Sequence, residues 1–127
     1  MTYNEWLIYK LNDYLYHKYN VVIVKPYTSI PYMIGLNEYY NIDTYDCELV
    51  LMVDFDAKTI VLNDLFNICE ESKKYQKNIV SWYNDENKHP ITVPSMELED
   101  WKTAIDKIMT EVVDNPEIKN HLVSQFS

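Results

Sequence analysis

The residues whose type and spacing best suit chemistry are Asp54 and Asp56, separated only by Phe55. Alternate side chains of a strand point the same way, so the two carboxylates could converge on a hard cation such as Mg²⁺ or Ca²⁺. Asp43, Asp46 and Asp64 would be further oxygen donors. The same pair also flanks an expected hairpin turn, where Asp is favoured because its side chain bonds to nearby backbone amides. Two acids one residue apart carry little specificity, and the turn reading is preferred. No metal or cofactor is assigned.

Nucleophilic and zinc chemistry have ingredients but no arrangement. Cys47, Cys69, His17, His89 and His121 are spread along the chain. None stands two or three residues from another, as zinc ligands usually do, and nothing puts a base beside either thiol. The chain has one glycine, Gly35. A phosphate-cradling loop or a dinucleotide fingerprint needs several, because only glycine lets the backbone approach the phosphates closely. G-x-S-x-G and H-E-x-x-H are absent as well. The expectation is a protein that binds rather than catalyses, with a metal-dependent enzyme using Asp54 and Asp56 as the alternative.

Charge says what it would bind. The 127 residues carry a net charge of −9, and all 11 basic residues are lysine. Without arginine the chain lacks the bidentate fork that grips phosphate and reads guanine. A negative surface also repels nucleic acid and anionic lipid over about a Debye length. Direct nucleic-acid binding is not expected, and a charge-selected partner would be a basic protein. Residues 38–64 hold Glu38, Asp43, Asp46, Glu48, Asp54, Asp56 and Asp64 against Lys58 alone, a net of −6. Residues 85–117 also sum to −6. Such zones could imitate a run of phosphates in a basic groove, or simply keep the surface solvated.

Aromatic residues supply a second binding candidate. Ten of the 12 tyrosines lie in the first 45 residues. On the first expected helix, Tyr9 and Tyr16 fall opposite the apolar stripe, with Trp6 and Asp13 read on the same outer side. Exposed aromatics on a helix have the composition of a binding hot spot. The expected partner-binding residues are therefore Glu38, Asp43, Asp46, Trp6, Tyr9 and Tyr16. By composition alone, the chain is analogous to small acidic inhibitors such as phage anti-defence proteins and toxin-neutralising immunity proteins. The expected role is to block a nucleic-acid-handling protein. Self-association through the helix aromatics, as a homo-oligomer, is the other alternative. Abundant Asn and Ile with only two Ala are consistent with an AT-rich gene. Two sparse cysteines, no secretory pattern and no apolar run of about 18 residues lead to the expectation of a cytoplasmic protein with no membrane role.

The elements that must position these residues form one domain, 1–127. Thr2-Tyr3-Asn4-Glu5 fits a capping box, and Leu7, Leu11, Tyr14 and Leu15 follow on one helical face up to Asn20, a left-handed stop. Val21–Val24 reads as a strand buried on both faces. Residues 26–45 read as one irregular edge strand. The clearest β unit is a hairpin over 47–63, with Cys47, Leu49, Leu51, Val53 and Phe55 on its core face and a tight connection at Asp56-Ala57. Asn63 or Asp64 is expected to cap a helix through Leu65, Phe66, Ile68 and Cys69. Residues 78–83 and 91–93 lean to strand. Ser95 is expected to cap a helix bearing Leu98, Trp101, Ile105, Ile108, Met109 and Val112, and Asn115-Pro116 to start a last one. The fold class is α+β: a small antiparallel sheet with a central hairpin, and an N-terminal helix and two C-terminal helices packed against it.

Overall fold

Local capping signals set the first helix. The computed structural model describes residues 1–24, 31–43, 47–66 and 91–126. Helix α1 spans Tyr3–Tyr19 and begins where the Thr2 hydroxyl accepts the Glu5 amide at 3.1 Å. It ends at Asn20, whose φ of 56° is left-handed and whose amide returns to the Leu15 and Tyr16 carbonyls. Asparagine tolerates that conformation far better than most side chains. Leu7, Leu11 and Leu15 are fully buried, so the stripe faces the core as its spacing requires.

Five antiparallel strands follow in chain order across one sheet. They are β1 (Ile23–Val24), β2 (Tyr32–Gly35), β3 (Cys47–Asp54), β4 (Thr59–Phe66) and β5 (Ile91–Thr92). A short helix, α2 (Asn37–Tyr40), joins β2 to β3. The β3–β4 hairpin is the longest pairing, from Cys47 opposite Phe66 to Asp54 opposite Thr59. Leu49, Leu51, Val53 and Phe55 are buried together. The other face is not purely solvated, since Val50 is buried too, apart from the main cluster.

Three local expectations are corrected. Val21–Val24 is not a doubly buried strand. Only Ile23 and Val24 pair, at the outer edge of the sheet, and Val22 and Val24 are exposed. A β-branched run favours extended backbone but says nothing about which neighbours will cover it. Within 26–45, β2 is an interior strand between β1 and β3, followed by α2 and a second left-handed asparagine, Asn41. At the hairpin, the connection is the four-residue turn Phe55–Lys58, with Lys58 at φ 53°, and β4 runs on through Asn63, Asp64, Leu65 and Phe66 where a helix was expected. Cross-strand pairing with Cys47, Glu48 and Leu49 outweighs the local capping signal there. The expected helix beyond Phe66 and the strand at 78–83 lie outside the described residues.

Helix α3 (Leu98–Ile108) lies against α1 and β5, with Trp101, Ala104, Ile105 and Ile108 buried. Ser95 does not cap it directly, because Glu97 occupies the cap position. The Ser95 hydroxyl instead accepts the Glu97 amide at 3.0 Å and donates to Asp100. The Trp101 ring meets Phe55 edge-on at 4.8 Å, which ties α3 to the hairpin. The helix then widens into a π-helical turn, Met109–Val113, where the Asp114 amide reaches the Met109 carbonyl five residues back at 2.9 Å. Helix α4 (Pro116–Phe126) starts as expected, the Asn115 side chain accepting the Glu117 amide at 3.0 Å. Among the described residues no helix is long and apolar enough to cross a membrane.

Candidate functional site

Helix α1 separates two surfaces of different character. Its outer side carries Tyr9 and Tyr16, two turns apart and 64% and 54% exposed. Asn12, between them in sequence, accepts the Ile23 amide at 2.7 Å and so docks β1 against the helix. That bond sets the neighbouring Val22 and Val24 beside the tyrosines. Tyr9, Tyr16 and Val22 line one depression of about 280 Å³. Tyr16, Val22 and Val24 line a second of about 340 Å³, whose other walls include Gly35, Glu38 and Glu48. Six large apolar side chains are exposed among the described residues, and these four are the ones that lie together, the others being Met1 and Tyr3 at the N-terminus.

The fold thus brings Tyr16 next to Glu38, 22 positions away in sequence, with Tyr9 beside Tyr16 in the other depression. Glu48 joins them through Gly35. A side-chain carbon at Gly35 would lie 2.8 Å from Glu48 Oε1, so the absence of that carbon lets the carboxylate lie over the strand. Asn37 holds the rim by accepting the Leu49 amide at 2.8 Å. Asp43 is exposed but lines neither depression, and Asp46 lies outside the described residues.

Trp6 does not belong to this surface. On a helix it lies about 60° round from Tyr9, toward the flank where α3 packs. It is half-buried against the core and meets the Tyr3 ring at 5.5 Å. There it lines a groove of about 770 Å³ between α1 and α3, together with Leu98, Tyr14, Lys10, Lys18 and Lys102. Asp13 and His17 complete the wall, paired at 3.2 Å.

Beside the groove, Asp106 of α3 holds two of its lining residues, Tyr14 and Lys18. Its carboxylate accepts the Tyr14 hydroxyl at 2.5 Å, the Tyr19 hydroxyl at 2.6 Å and the Lys18 ammonium at 3.0 Å. Lys18 also donates to the Tyr14 hydroxyl at 3.1 Å. Burial pushes Asp106 upward, but the three donors outweigh it and hold the carboxyl below its ordinary value. Burial first, and then the bond to Asp106, raise both Tyr14 and Tyr19. The hydrogen bonds to Tyr14 and Asp106 raise Lys18, keeping it charged. Lys18 and Lys102 stand 5.4 and 5.1 Å from the centre of the Tyr14 ring. A parallel arrangement beyond the π-helical turn has Tyr39 donating to Asp114 at 2.6 Å, with burial and that bond pushing Tyr39 up to about 12.

Sequence reasoning missed both the groove and the Asp106 network. Lys10, His17 and Lys18 are separated by seven and one residues, a helical-flank spacing overshadowed by the overall acidity. The zone 85–117, read as one acidic surface, is partly engaged inside the fold. Asp100, Asp106 and Asp114 each hold a hydroxyl, and Glu99 stands 3.6 Å from Lys102.

The Asp54–Asp56 pair behaves as a turn. Asp54 Oδ1 accepts the Ala57 amide at 3.0 Å, and Asp56 is exposed in the loop. Among the described residues no three His, Cys, Asp or Glu side chains gather closely enough to hold a metal ion. Cys69 and His89 lie outside the described residues. No family model, curated protein or solved structure matches this chain.

Proposed function

We propose that the protein is a non-enzymatic binding protein that occludes a basic surface of a partner protein through the Tyr9–Tyr16–Val22–Val24 strip and its acidic rim. The observation carrying this reading is the juxtaposition itself: the clustered exposed apolar side chains adjoin Glu38 and Glu48. An aromatic and aliphatic centre supplies area that can be desolvated, and a charged rim steers encounter and rejects wrong partners. A nucleic-acid-handling protein is the class of partner suited to the rim's charge, and an inhibitor of the phage anti-defence or immunity type is the role that fits. For the metal-enzyme alternative, Asp54 Oδ1 accepts the Ala57 amide, the bond a turn residue makes, which supports the binding reading.

The test is capture from a host lysate by wild type, by Tyr9→Ala with Tyr16→Ala, and by Glu38→Lys with Glu48→Lys. The expected result is one protein retained by wild type and lost by the tyrosine variant, and associating more slowly with the charge variant. Retention of the same protein at wild-type rates by both variants, with melts unchanged, would overturn the reading. Two exposed tyrosines and two rim acids should be removable without unfolding the chain.

A further inference from the structure

We infer that the depression lined by Tyr16, Val22, Val24, Gly35, Glu38 and Glu48 takes one arginine side chain of the partner protein. The inference rests on the reading of the tyrosine strip as the partner-facing surface and names its anchor. The carboxylates set this depression apart. Asp13, which lines the neighbouring depression and the groove, is paired with His17. Asp106 and Glu99 beside the groove have Lys18 and Lys102. Glu38 and Glu48 have no cation in ion-pair range among the described residues, and no lysine or histidine lines the depression. Gly35 brings one of the two over the sheet. It is the only glycine of the chain, and its φ is not left-handed, so the backbone does not call for it. A glycine inside a strand weakens it and often marks a close approach. Here Glu48 Oε1 makes that approach, 2.8 Å from where a side-chain carbon would stand.

The walls select a long side chain with a cationic end. Tyr16, Val22 and Val24 are exposed apolar surface on which an aliphatic stem can lie while its head meets the carboxylates. The volume, about 340 Å³, is at the small end for ligand sites and suits one side chain rather than a large cofactor. Both carboxylates are exposed, so a charge pair alone would be weak and the apolar contact has to add to it. Guanidinium meets that demand better than ammonium. It is less strongly hydrated, it stacks on aromatic faces, and its planar donors can serve two carboxylates at once. Glu38 and Glu48 stand on different elements, α2 and β3, so they approach from different directions. The 127 residues contain no arginine, so this occupant comes from a different protein and not from a second copy.

Nuclear magnetic resonance titration of the full chain with Nα-acetyl-arginine amide tests this, beside the matching lysine and citrulline amides. The expected result is millimolar binding of the arginine compound, with shifts at Tyr16, Val22 and Val24. The lysine compound should bind about threefold or more weakly, and citrulline, which keeps the shape without the charge, should not bind at about 10 mM. Glu38→Gln with Glu48→Gln should weaken arginine binding about fivefold or more, and both residues are exposed, so the fold should be kept. Gly35→Ala, which displaces only the end of Glu48, should weaken it by a smaller factor. No shift at these residues at about 10 mM arginine compound would overturn the proposal. So would equal binding of the lysine compound, or binding unchanged by the double substitution. Light scattering that shows a dimer in wild type and a monomer in the double variant would seat a lysine of a second copy there instead. Tyrosine-dependent capture of a partner that ignores Glu38 and Glu48 would sink the arginine anchor and leave the occlusion reading standing. Selective arginine binding with no captured protein would do the reverse.

Discussion

The two sides of α1 are built by opposite means. On the outer side, Tyr9 and Tyr16 project into solvent above the exposed Val22 and Val24. On the groove side, Tyr14 and Tyr19 converge on one carboxylate and order Lys18 with them. The same residue type on the same helix thus serves as free contact area in one place and as a hydrogen-bonded brace in the other. Position decides which. Tyr14 and Tyr19 face elements that supply a partner for the hydroxyl, as most covered hydroxyls find one, although the buried Tyr40 hydroxyl does not. A surface left free can adapt to a partner, whereas a braced one is shaped in advance.

The largest effect should come from removing what both sides share. Trp101 is fully buried and packs edge-on against Phe55, so Trp101→Ala is expected to cost about 3–5 kcal/mol and to compromise both surfaces in a chemical melt. If only the groove suffers, the two sides do not rest on a common core. Next, Asp106→Ala should cost about 1–2 kcal/mol. That is less than a fully buried charged network would lose, because a third of this side chain is exposed. Its signature is selectivity: capture through the tyrosine strip should persist.

Alkaline titration sharpens the contrast between braced and free tyrosines. A hydroxyl whose folded-state pKa is raised stabilises the fold fully below its unfolded value and progressively less as pH rises through the folded one. Tyr39, ordinarily at 10.0 and held at about 12, marks the window. Tyr14 and Tyr19 are raised as well, so stability should decline above about pH 10. Melts followed by circular dichroism beside tyrosinate absorbance would measure it. Asp106→Asn removes the carboxylate that helps raise Tyr14 and Tyr19, and the decline should become shallower. Smallest of all should be Gly35→Ala. The new carbon meets only the flexible end of Glu48, so the melt should shift by no more than about 0.5 kcal/mol. The displaced carboxylate should nonetheless slow association on the tyrosine side and leave the groove untouched.

The frame of the fold was legible where local and global signals agree. Thr2, Asn20 and Asn115 cap as their types suggest, and Leu7, Leu11, Leu15, Trp101 and Ile105 are buried at helical spacing. The α+β class and the hairpin follow from such segments. What failed depended on neighbours distant in sequence. Asn63 and Asp64 look like caps until Val50 and Leu49 are set opposite them on β3. Val22 and Val24 look buried until β1 is seen as the outermost strand among the described residues, with both side chains exposed. Trp6 needed the position of α3, and the groove needed Lys102, 84 positions beyond Lys18, to complete it. Tyr16 and Glu38 were named separately, and their adjacency depends on how the sheet docks on α1, which no periodicity reveals.

The interior position of β3 bears on how the chain avoids precipitating with itself. β3 carries Leu49-Val50-Leu51-Met52-Val53, five apolar residues in extended conformation, the composition of a segment prone to cross-β stacking. It sits inside the sheet with β2 and β4 on its two sides, β1 and β5 being the outermost strands among the described residues. A strand paired on both sides offers no free ladder to a second molecule, and covering such a segment is one way natural sheets avoid edge-to-edge association. Release of β2 would remove one guard. Damage there should therefore register as turbidity or fibril formation on storage even when little of the native signal has been lost.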